Sequence, residues 1–152
     1  MQDKRFDGII DTAIQREEEA YDFYMTIHAK IEDESVKDII TFIAGEEKKH
    51  KAFLVAYKEG KYGAKKLRLT DVVYYKIAEH LEEPEIKTDM TSAEVFLLAS
   101  HRELKAYNFY TDLAELHADT DIKDLLNRIA NEEMKHKEKM EYLYANTAFP
   151  QT

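Results

Sequence analysis

Two Glu-x-x-His motifs are the first feature of this sequence that could do chemistry: Glu47 with His50, and Glu133 with His136. Residues three apart lie on the same face of a helix, so the carboxylate and the imidazole of each motif can reach one point. Both groups are ligands of transition metals. A single motif of this kind in a helix rich in Glu and Lys is usually a solvated face, so one motif alone does not predict a metal site.

Each motif follows another glutamate at the same distance along the chain, from Glu17 to Glu47 and from Glu103 to Glu133. Both upstream glutamates lie within apolar stripes, where a charge is costly unless it is paired or bound to a metal ion. One Glu from each of two helices and one Glu-x-x-His from each of two others is the ligand set of helical bundles that bind two iron or manganese ions. The sequence therefore predicts a metal site formed by six residues: Glu17, Glu47, His50, Glu103, Glu133 and His136.

The recurrence of the motifs is part of a longer internal repeat. At a shift of 86 residues, EEEAYDFY at 17–24 aligns with ELKAYNFY at 103–110, and IAGEEKKH at 43–50 aligns with IANEEMKH at 129–136. There are only two copies and the period is longer than a solenoid repeat, which indicates duplication of one supersecondary unit. Because the copies share ancestry, they are not independent signs of a metal site, but they predict two similar structures.

Each copy has the pattern of a helical hairpin, and we expect hairpins over residues 4–59 and 91–146. Apolar residues recur at helical spacing on both sides of a polar break. The breaks, at residues 33–35 and 119–121, are short enough to make the flanking helices antiparallel neighbours. Thr91 and Glu94 have the spacing of a capping box, which predicts the start of the third helix.

The connection between the hairpins, residues 60–90, is too long for a tight turn between neighbouring helices. Four helices of roughly 25 residues would each run about 38 Å, which a connection of this length can cross. An apolar run at 72–78, after Thr70, predicts a short helix laid across the outside. One long crossover is typical of ferritin-like folds. The sequence thus predicts an all-α, ferritin-like four-helix bundle that forms a single domain over residues 1–152.

The composition excludes several classes of function. The net charge of −9, from 22 basic and 31 acidic residues, argues against a partner that is a nucleic acid or an anionic membrane, since both need a basic face. The absence of cysteine excludes disulfides, iron–sulfur clusters and thiol catalysis. No window approaches the roughly 20 apolar residues of a membrane span, and the first residues are too charged for a signal peptide. We therefore expect a cytoplasmic protein.

With both hairpins considered, the chain resembles the rubrerythrin branch of the ferritin-like superfamily. The resemblance implies a carboxylate-bridged centre with two iron ions as the cofactor. By position, Glu47 and Glu133 would bridge the two metals. Glu17 and Glu103 would be terminal ligands or shift between binding modes, and each imidazole would bind one metal. Ligands of this kind suit iron or manganese, and zinc could occupy the same site in a purified sample.

Four further residues are expected to support the ligands: Tyr24, Tyr110, Glu46 and Glu132. Each tyrosine lies seven residues beyond a ligand glutamate on the same helix face. In the family, tyrosines in such places hydrogen-bond to metal carboxylates; ordinary core packing is the alternative. The two glutamates directly precede the bridging carboxylates and could accept a hydrogen bond from the opposite imidazole. A solvated face is the alternative for them.

The chain also departs from the family. Rubrerythrins carry a further carboxylate one turn past the third-helix ligand, where this chain has Ala106, which puts ligand exchange through that carboxylate in doubt. A cysteine-free chain contains no rubredoxin module. Bacterioferritins hold haem through a methionine where this chain has Lys48, so haem is not expected. The other four histidines are interpreted as solvated or core residues: His28, His80, His101 and His117.

The function predicted from these residues is that of a non-haem di-iron oxidoreductase that reduces peroxide or dioxygen, as a peroxidase or a ferroxidase, in a setting of oxidative stress. No residue pattern separates these two activities. An iron-binding protein for storage or delivery, without catalytic turnover, is the alternative, and a metal-free helical interaction module is a third class. The expected partners are peroxide or dioxygen and a separate electron donor, and the assembly considered is a homodimer.

Overall fold

The computed structural model describes residues 4–64, 67, 69–82 and 90–149. In chain order the elements are α1 (Lys4–Lys30), α2 (Glu34–Lys58), α3 (Asp71–Ala78), a 3-10 turn (Glu79–Leu81), α4 (Ser92–Ala114) and α5 (Thr120–Ala148). No β-strand occurs in the described part of the chain. The all-α class predicted from the sequence is confirmed.

The chain divides into two compact units, Met1–Tyr74 and Tyr75–Thr152. The first unit contains α1 and α2, the second contains α4 and α5, and the boundary falls within α3. The two helix pairs correspond to the hairpins expected at 4–59 and 91–146, although α5 continues to Ala148. That the whole chain forms a single domain stays a prediction.

In the first unit, α1 and α2 form an antiparallel hairpin. Lys51 of α2 pairs with Glu18 of α1 at 2.9 Å. Further along α2, Lys58 pairs at 2.6 Å with Asp11, which lies earlier in α1. The apolar faces between the helices form the core of this unit. The large side chains that are almost completely buried there include Phe6, Ile10, Tyr24, Ile40, Ile43, Leu54 and Tyr57.

Aspartates at the two polar breaks set where α2 and α5 begin. The carboxylate of Asp33 accepts hydrogen bonds from the backbone N–H groups of Ser35 (2.9 Å) and Val36 (3.4 Å). Together with a bond from the Ser35 hydroxyl, which contributes most, they hold the pKa of Asp33 below its usual value. Asp119 caps α5 in the same way, through Asp121 and Ile122. The helices therefore start inside the expected breaks, one residue after each aspartate.

The start of α4 is a capping box, as the sequence predicts. The hydroxyl of Thr91 accepts the backbone N–H of Glu94 at 3.2 Å, and the Glu94 carboxylate accepts the backbone N–H of Thr91 at 3.4 Å. Each residue thus satisfies a donor of the other at the helix end, where backbone N–H groups have no partner within the helix. In this second unit α4 packs along α5 around a core that includes Phe109, Leu113 and Leu126.

The crossover contains the short helix expected at 72–78, which is α3. Thr70 stands just before it, and its hydroxyl accepts the backbone N–H of Val73 at 3.2 Å. Within the first unit, the guanidinium of Arg5 bonds to Asp71 and to the carbonyl of Leu69. Residues 65, 66, 68 and 83–89 of the crossover lie outside the described residues, and the course of α3 across the bundle stays a prediction. None of the described helices is long and apolar enough to cross a membrane.

Candidate metal centre

Three of the six predicted ligands come together in the first unit. Glu17 extends from α1, and Glu47 and His50 extend from α2; we call this set triad 1. The His50 Nδ1 lies 3.7 Å from Glu47 Oε1 and 3.9 Å from Glu17 Oε2. Within the triad, one ligand atom from each residue lies within 4.8 Å of the others. All three side chains are buried, with residue exposures of 2–5%.

The second unit brings together the other three in the same arrangement. Glu103 extends from α4, and Glu133 and His136 extend from α5; we call this set triad 2. The His136 Nδ1 lies 3.5 Å both from Glu103 Oε2 and from Glu133 Oε1. The residues of triad 2 are also buried, with exposures of 0–3%.

The local fold explains why the triads form. On α2 and on α5, the glutamate and the histidine stand three residues apart and so share one helix face. That face is the buried one, because the neighbouring Ile43 and Leu54 on α2, and Ile129 and Met140 on α5, belong to the core. Packing of the partner helix then brings its single glutamate to the same level. The internal repeat carries the same construction into both units.

The donors of each triad fit a transition-metal ion. Imidazole–carboxylate distances of 3.5–3.9 Å exceed the usual range for an N–H···O hydrogen bond, but they are short enough for one cation to contact all three groups. Two carboxylates and one imidazole per triad form the oxygen-rich ligand set, with one nitrogen, that suits iron or manganese. Burial of two carboxylates beside one imidazole is costly without a compensating positive charge, which a metal ion would provide.

The tyrosines expected to support the ligands are buried in both units. Tyr24 is 2% exposed and Tyr110 is 1% exposed. Each packs edge-on against the preceding phenylalanine, Phe23 or Phe109, with ring centroids 5.5 and 5.3 Å apart. These contacts show that both rings are part of the core. The hydrogen bond from each phenol to a ligand carboxylate stays a prediction.

The two glutamates that precede the bridging carboxylates are half-buried, between a solvated face and the interior. A carboxylate oxygen of Glu46 lies within 4.8 Å of an imidazole nitrogen of His50, one turn further along α2. Glu132 occupies the equivalent position on α5. The hydrogen bond expected from each of these glutamates to the opposite imidazole stays a prediction.

One polar cluster in the second unit has no recognisable pattern in the sequence. The Nε2 of His80, in the 3-10 turn, lies 2.7 Å from Oδ2 of Asp112 on α4, and Lys76 Nζ lies 3.5 Å from the other oxygen of that carboxylate. His80 is thus a paired residue that connects the 3-10 turn to α4. The two partners are 32 residues apart in the chain, so no local spacing indicated their contact.

A second histidine outside the triads is a core residue. His117 follows α4 and is 7% exposed. Burial lowers its pKa because the charged imidazolium is poorly solvated there, and the nearby Asp119 carboxylate opposes the shift only in part. This placement agrees with its interpretation from the sequence as a solvated or core residue.

Known proteins share both the sequence pattern and the fold. The sequence model of a family described as Rubrerythrin matches residues 8–144, a span that includes both triads. Comparison with curated proteins finds no match. Among solved structures, a hypothetical protein from Pyrococcus furiosus is similar, with 23% sequence identity over 97% of this chain and 92% of that one and a TM-score of 0.73. At this identity the likeness shows the fold alone. Together with the family match, it confirms the predicted ferritin-like helical bundle.

Proposed function

We propose, because this chain belongs to the rubrerythrin family of di-iron carboxylate proteins, that it is a non-haem di-iron oxidoreductase that reduces peroxide or dioxygen. The observation that carries the proposal is the presence of two buried triads of identical composition, each with its three donors within 4.8 Å of one another. In a metal-free helical module, the burial of four carboxylates and two imidazoles would lower stability without a compensating charge.

The six triad residues would hold the two ions. Glu47 and Glu133 would be the bridging carboxylates, and Glu17 and Glu103 would be terminal ligands or shift between binding modes. One imidazole from each triad completes the set. When bound, a pair of ferrous ions supplies the two electrons that peroxide needs to be reduced to water.

The chain's own contribution is to position the ligands and to exclude bulk water. The triad residues are at most 5% exposed, and the apolar residues beside them, such as Leu54 and Met140, are almost completely buried. This burial would keep bulk water away from the ligands. In such surroundings charge interactions are stronger than in water. A buried tyrosine hydroxyl usually has a hydrogen-bond partner. The phenols of Tyr24 and Tyr110 would donate to ligand carboxylates and so fix their orientation.

We propose a separate electron donor, because these 152 residues contain no cysteine that could hold an iron–sulfur cluster.

Stopped-flow oxidation of the diferrous protein distinguishes the activities within this proposal. A peroxidase should be reoxidised faster by peroxide than by dioxygen at equal concentration, and a ferroxidase should show the opposite order. The experiment does not require the physiological donor. A protein that binds ferrous iron but is reoxidised by neither oxidant faster than free ferrous ion would contradict an oxidoreductase.

The storage alternative makes a different prediction about stoichiometry. A mineral store needs a shell of many subunits and takes up far more than two irons per chain. Native mass together with iron per chain after aerobic loading separates the two functions. A small assembly that stays near two irons per chain agrees with the oxidoreductase and excludes a store.

A further inference from the structure

We propose that the outer face of α2 is the docking surface for the electron donor, and that this donor is a small acidic protein that carries one electron at a time. The inference rests on the proposed function, which requires electrons from another molecule, and it adds the place and the chemistry of the contact. The outer face consists of five residues at helical spacing: Phe42, Gly45, Lys49, Ala52 and Val55.

Apolar side chains are exposed on this face. Phe42 is 65% exposed and Val55 is 37% exposed, and Ala52 is exposed as well. Beyond the local backbone of its own helix, no atom lies within 4 Å of the place where a Cβ of Gly45 would be, so no described part of the chain covers the face at this point. A protein that docks here would remove apolar surface from water, which favours association.

The internal repeat shows that this face is unusual. At a shift of 86 residues, its four exposed members correspond to positions on α5 that are also exposed but are all charged: Arg128, Lys135, Glu138 and Glu141. At three of the four positions α2 therefore has an apolar residue where α5 has a charged one. Burial within the chain does not explain the difference, since both sets are exposed. A contiguous exposed apolar strip of this kind indicates a contact surface.

The charge at the centre of the surface favours an acidic partner. Among the exposed residues at positions 41–56, only Lys48 and Lys49 are charged. The half-buried Lys51 pairs with Glu18 of α1 at 2.9 Å. The half-buried Glu46 has a carboxylate oxygen within 4.8 Å of an imidazole nitrogen of triad 1, so it extends toward the buried side of the helix. Two positive charges thus remain beside the apolar strip.

Other acidic residues lie around this surface and not at its centre. Asp38 and Glu59, at the two ends of α2, are at least about 15 Å along the helix from either lysine, beyond the Debye length of about 8 Å at physiological ionic strength. On α1, the exposed Asp22 follows Tyr21, whose ring centroid lies 5.0 Å from Lys48 Nζ. One acid beside two lysines leaves the local charge positive.

A second copy of the chain fits this face poorly. In a two-fold symmetric pair the same patch is used by both copies, so the central Lys48 and Lys49 would lie opposite the same lysines, and opposed like charges are costly. From Phe42 to Val55 the face runs about 20 Å along a helix about 10 Å wide. The resulting patch of roughly 200 Å² is far below the roughly 800 Å² per partner of a stable complex, whereas weak encounters between redox proteins use small interfaces.

The position of the face relative to the ligands suits electron transfer. Glu47 and His50 are buried on the other side of α2, so a carrier on the outer face comes within about one helix width, 10–12 Å, of triad 1. Each encounter oxidises the carrier by one electron and reduces the oxidised metal site by one electron, and no bond forms or breaks. Two encounters supply the two electrons that are used to reduce one peroxide to water.

Stopped-flow oxidation of a reduced, acidic [2Fe–2S] ferredoxin by the oxidised, iron-loaded protein tests the surface. Above about 0.1 M salt the Debye length is about 10 Å or less, so charges near the contact decide the salt dependence, and the rate constant should fall as salt is added. Lys49→Glu should lower the rate constant at 0.1 M salt about tenfold. Lys135→Glu makes the same change in net charge at the equivalent position of α5 and should stay near the wild type.

A second matched pair tests the apolar part of the surface. Phe42→Ser should lower the rate constant about fivefold, the effect expected when a contact residue is truncated. Tyr142→Ser removes an aromatic ring that is 59% exposed on α5 and should have no effect. Reduction by dithionite, a small reductant that needs no docking surface, should be similar in the wild type and in all variants, which shows that the metal site is intact.

Carbodiimide cross-linking reports docking independently of electron transfer, because it joins a lysine amine to a carboxylate that the amine contacts. In the product with the oxidised ferredoxin, peptide mapping should find cross-links at Lys48 or Lys49 and none at Lys135.

Several results would overturn the inference while leaving the proposed function in place. They are a rate constant that rises with salt, equal losses in Lys49→Glu and Lys135→Glu, cross-links as frequent at Lys135 as at Lys49, or a protein that dithionite reduces but the ferredoxin does not. A wild-type dimer that Phe42→Ser converts to a monomer would assign the face to a second copy instead. If the protein bound no iron, or if dithionite did not reduce it either, the proposed function would fail and this inference with it.

Discussion

At the scale of single residues, two stretches of similar sequence each bury two glutamates and one histidine close together. Glu-x-x-His is a local pattern, and its recurrence 30 residues after a glutamate in both repeats (17 to 47, 103 to 133) selects the six donors that the structure gathers into two triads. The pair of His80 and Asp112 depends on where the crossover meets α4. Such a contact is fixed by tertiary packing and leaves no spacing in the sequence.

Conservative substitution of the buried tyrosines tests whether their phenols support the metal ligands. Tyr24→Phe and Tyr110→Phe keep the ring contacts with Phe23 and Phe109 but remove the hydroxyl groups. If these groups hydrogen-bond to ligand carboxylates, the affinity for Co²⁺, measured by titration of the metal-free protein, should fall about tenfold. Tyr57→Phe, a buried tyrosine further along α2, is the control and should bind Co²⁺ as the wild type does. Unchanged affinity in all three variants would leave only a packing role for Tyr24 and Tyr110.

The burial of His117 predicts a contribution to the pH dependence of stability. Its pKa in the folded protein is lowered by burial, whereas in the unfolded chain it is close to the ordinary value of about 6.5. As the pH falls below that value, the unfolded chain takes up a proton that the folded protein does not, so stability decreases.

Urea denaturation of the metal-free protein at a series of pH values measures this contribution. Relative to His117→Gln, which does not titrate, the wild type should lose stability between about pH 7.5 and pH 5.5, the interval that begins just above the unfolded pKa. Parallel curves for the two proteins over this interval would show that His117 protonates equally in both states.

At the scale of helices, the polar residues at the breaks predicted where each helix begins. Asp33, Thr91 and Asp119 all cap the helix that follows them, because an oxygen one residue before the helix can accept its unsatisfied N–H groups. Helix ends were less predictable. The sequence placed the end of the second hairpin at residue 146, but α5 continues to Ala148, since residues 140–148 contain neither glycine nor proline to stop it.

The capping box of α4 predicts a measurable loss of stability. Thr91→Ala removes the hydroxyl that accepts the Glu94 N–H and should lower the free energy of unfolding by about 1 kcal/mol. Urea denaturation of the metal-free protein at neutral pH checks this value. Thr91→Ser keeps the hydroxyl and should be close to the wild type, and equal stability of the alanine variant would show that the cap contributes nothing.

At the scale of the whole molecule, the internal repeat and the long connection predicted the fold class, which the family match and the structural neighbour bear out. The duplication explains why the fold class could be predicted, since the same hairpin pattern occurs twice and the two copies make up most of the chain. The electron donor and the assembly have no comparable signal, because a surface that binds a partner is recognised only once the structure shows which side chains are exposed.

Iron per chain in the anaerobically loaded protein tests the central claim most directly. The wild type should retain about two ferrous ions after removal of excess iron, and Glu133→Ala should lose most of them because a bridging carboxylate serves both ions. Glu138→Ala, an exposed residue on the same helix, should retain the full amount. A Glu133→Ala variant that is folded and still holds two irons, or a wild type that holds none, would contradict the account.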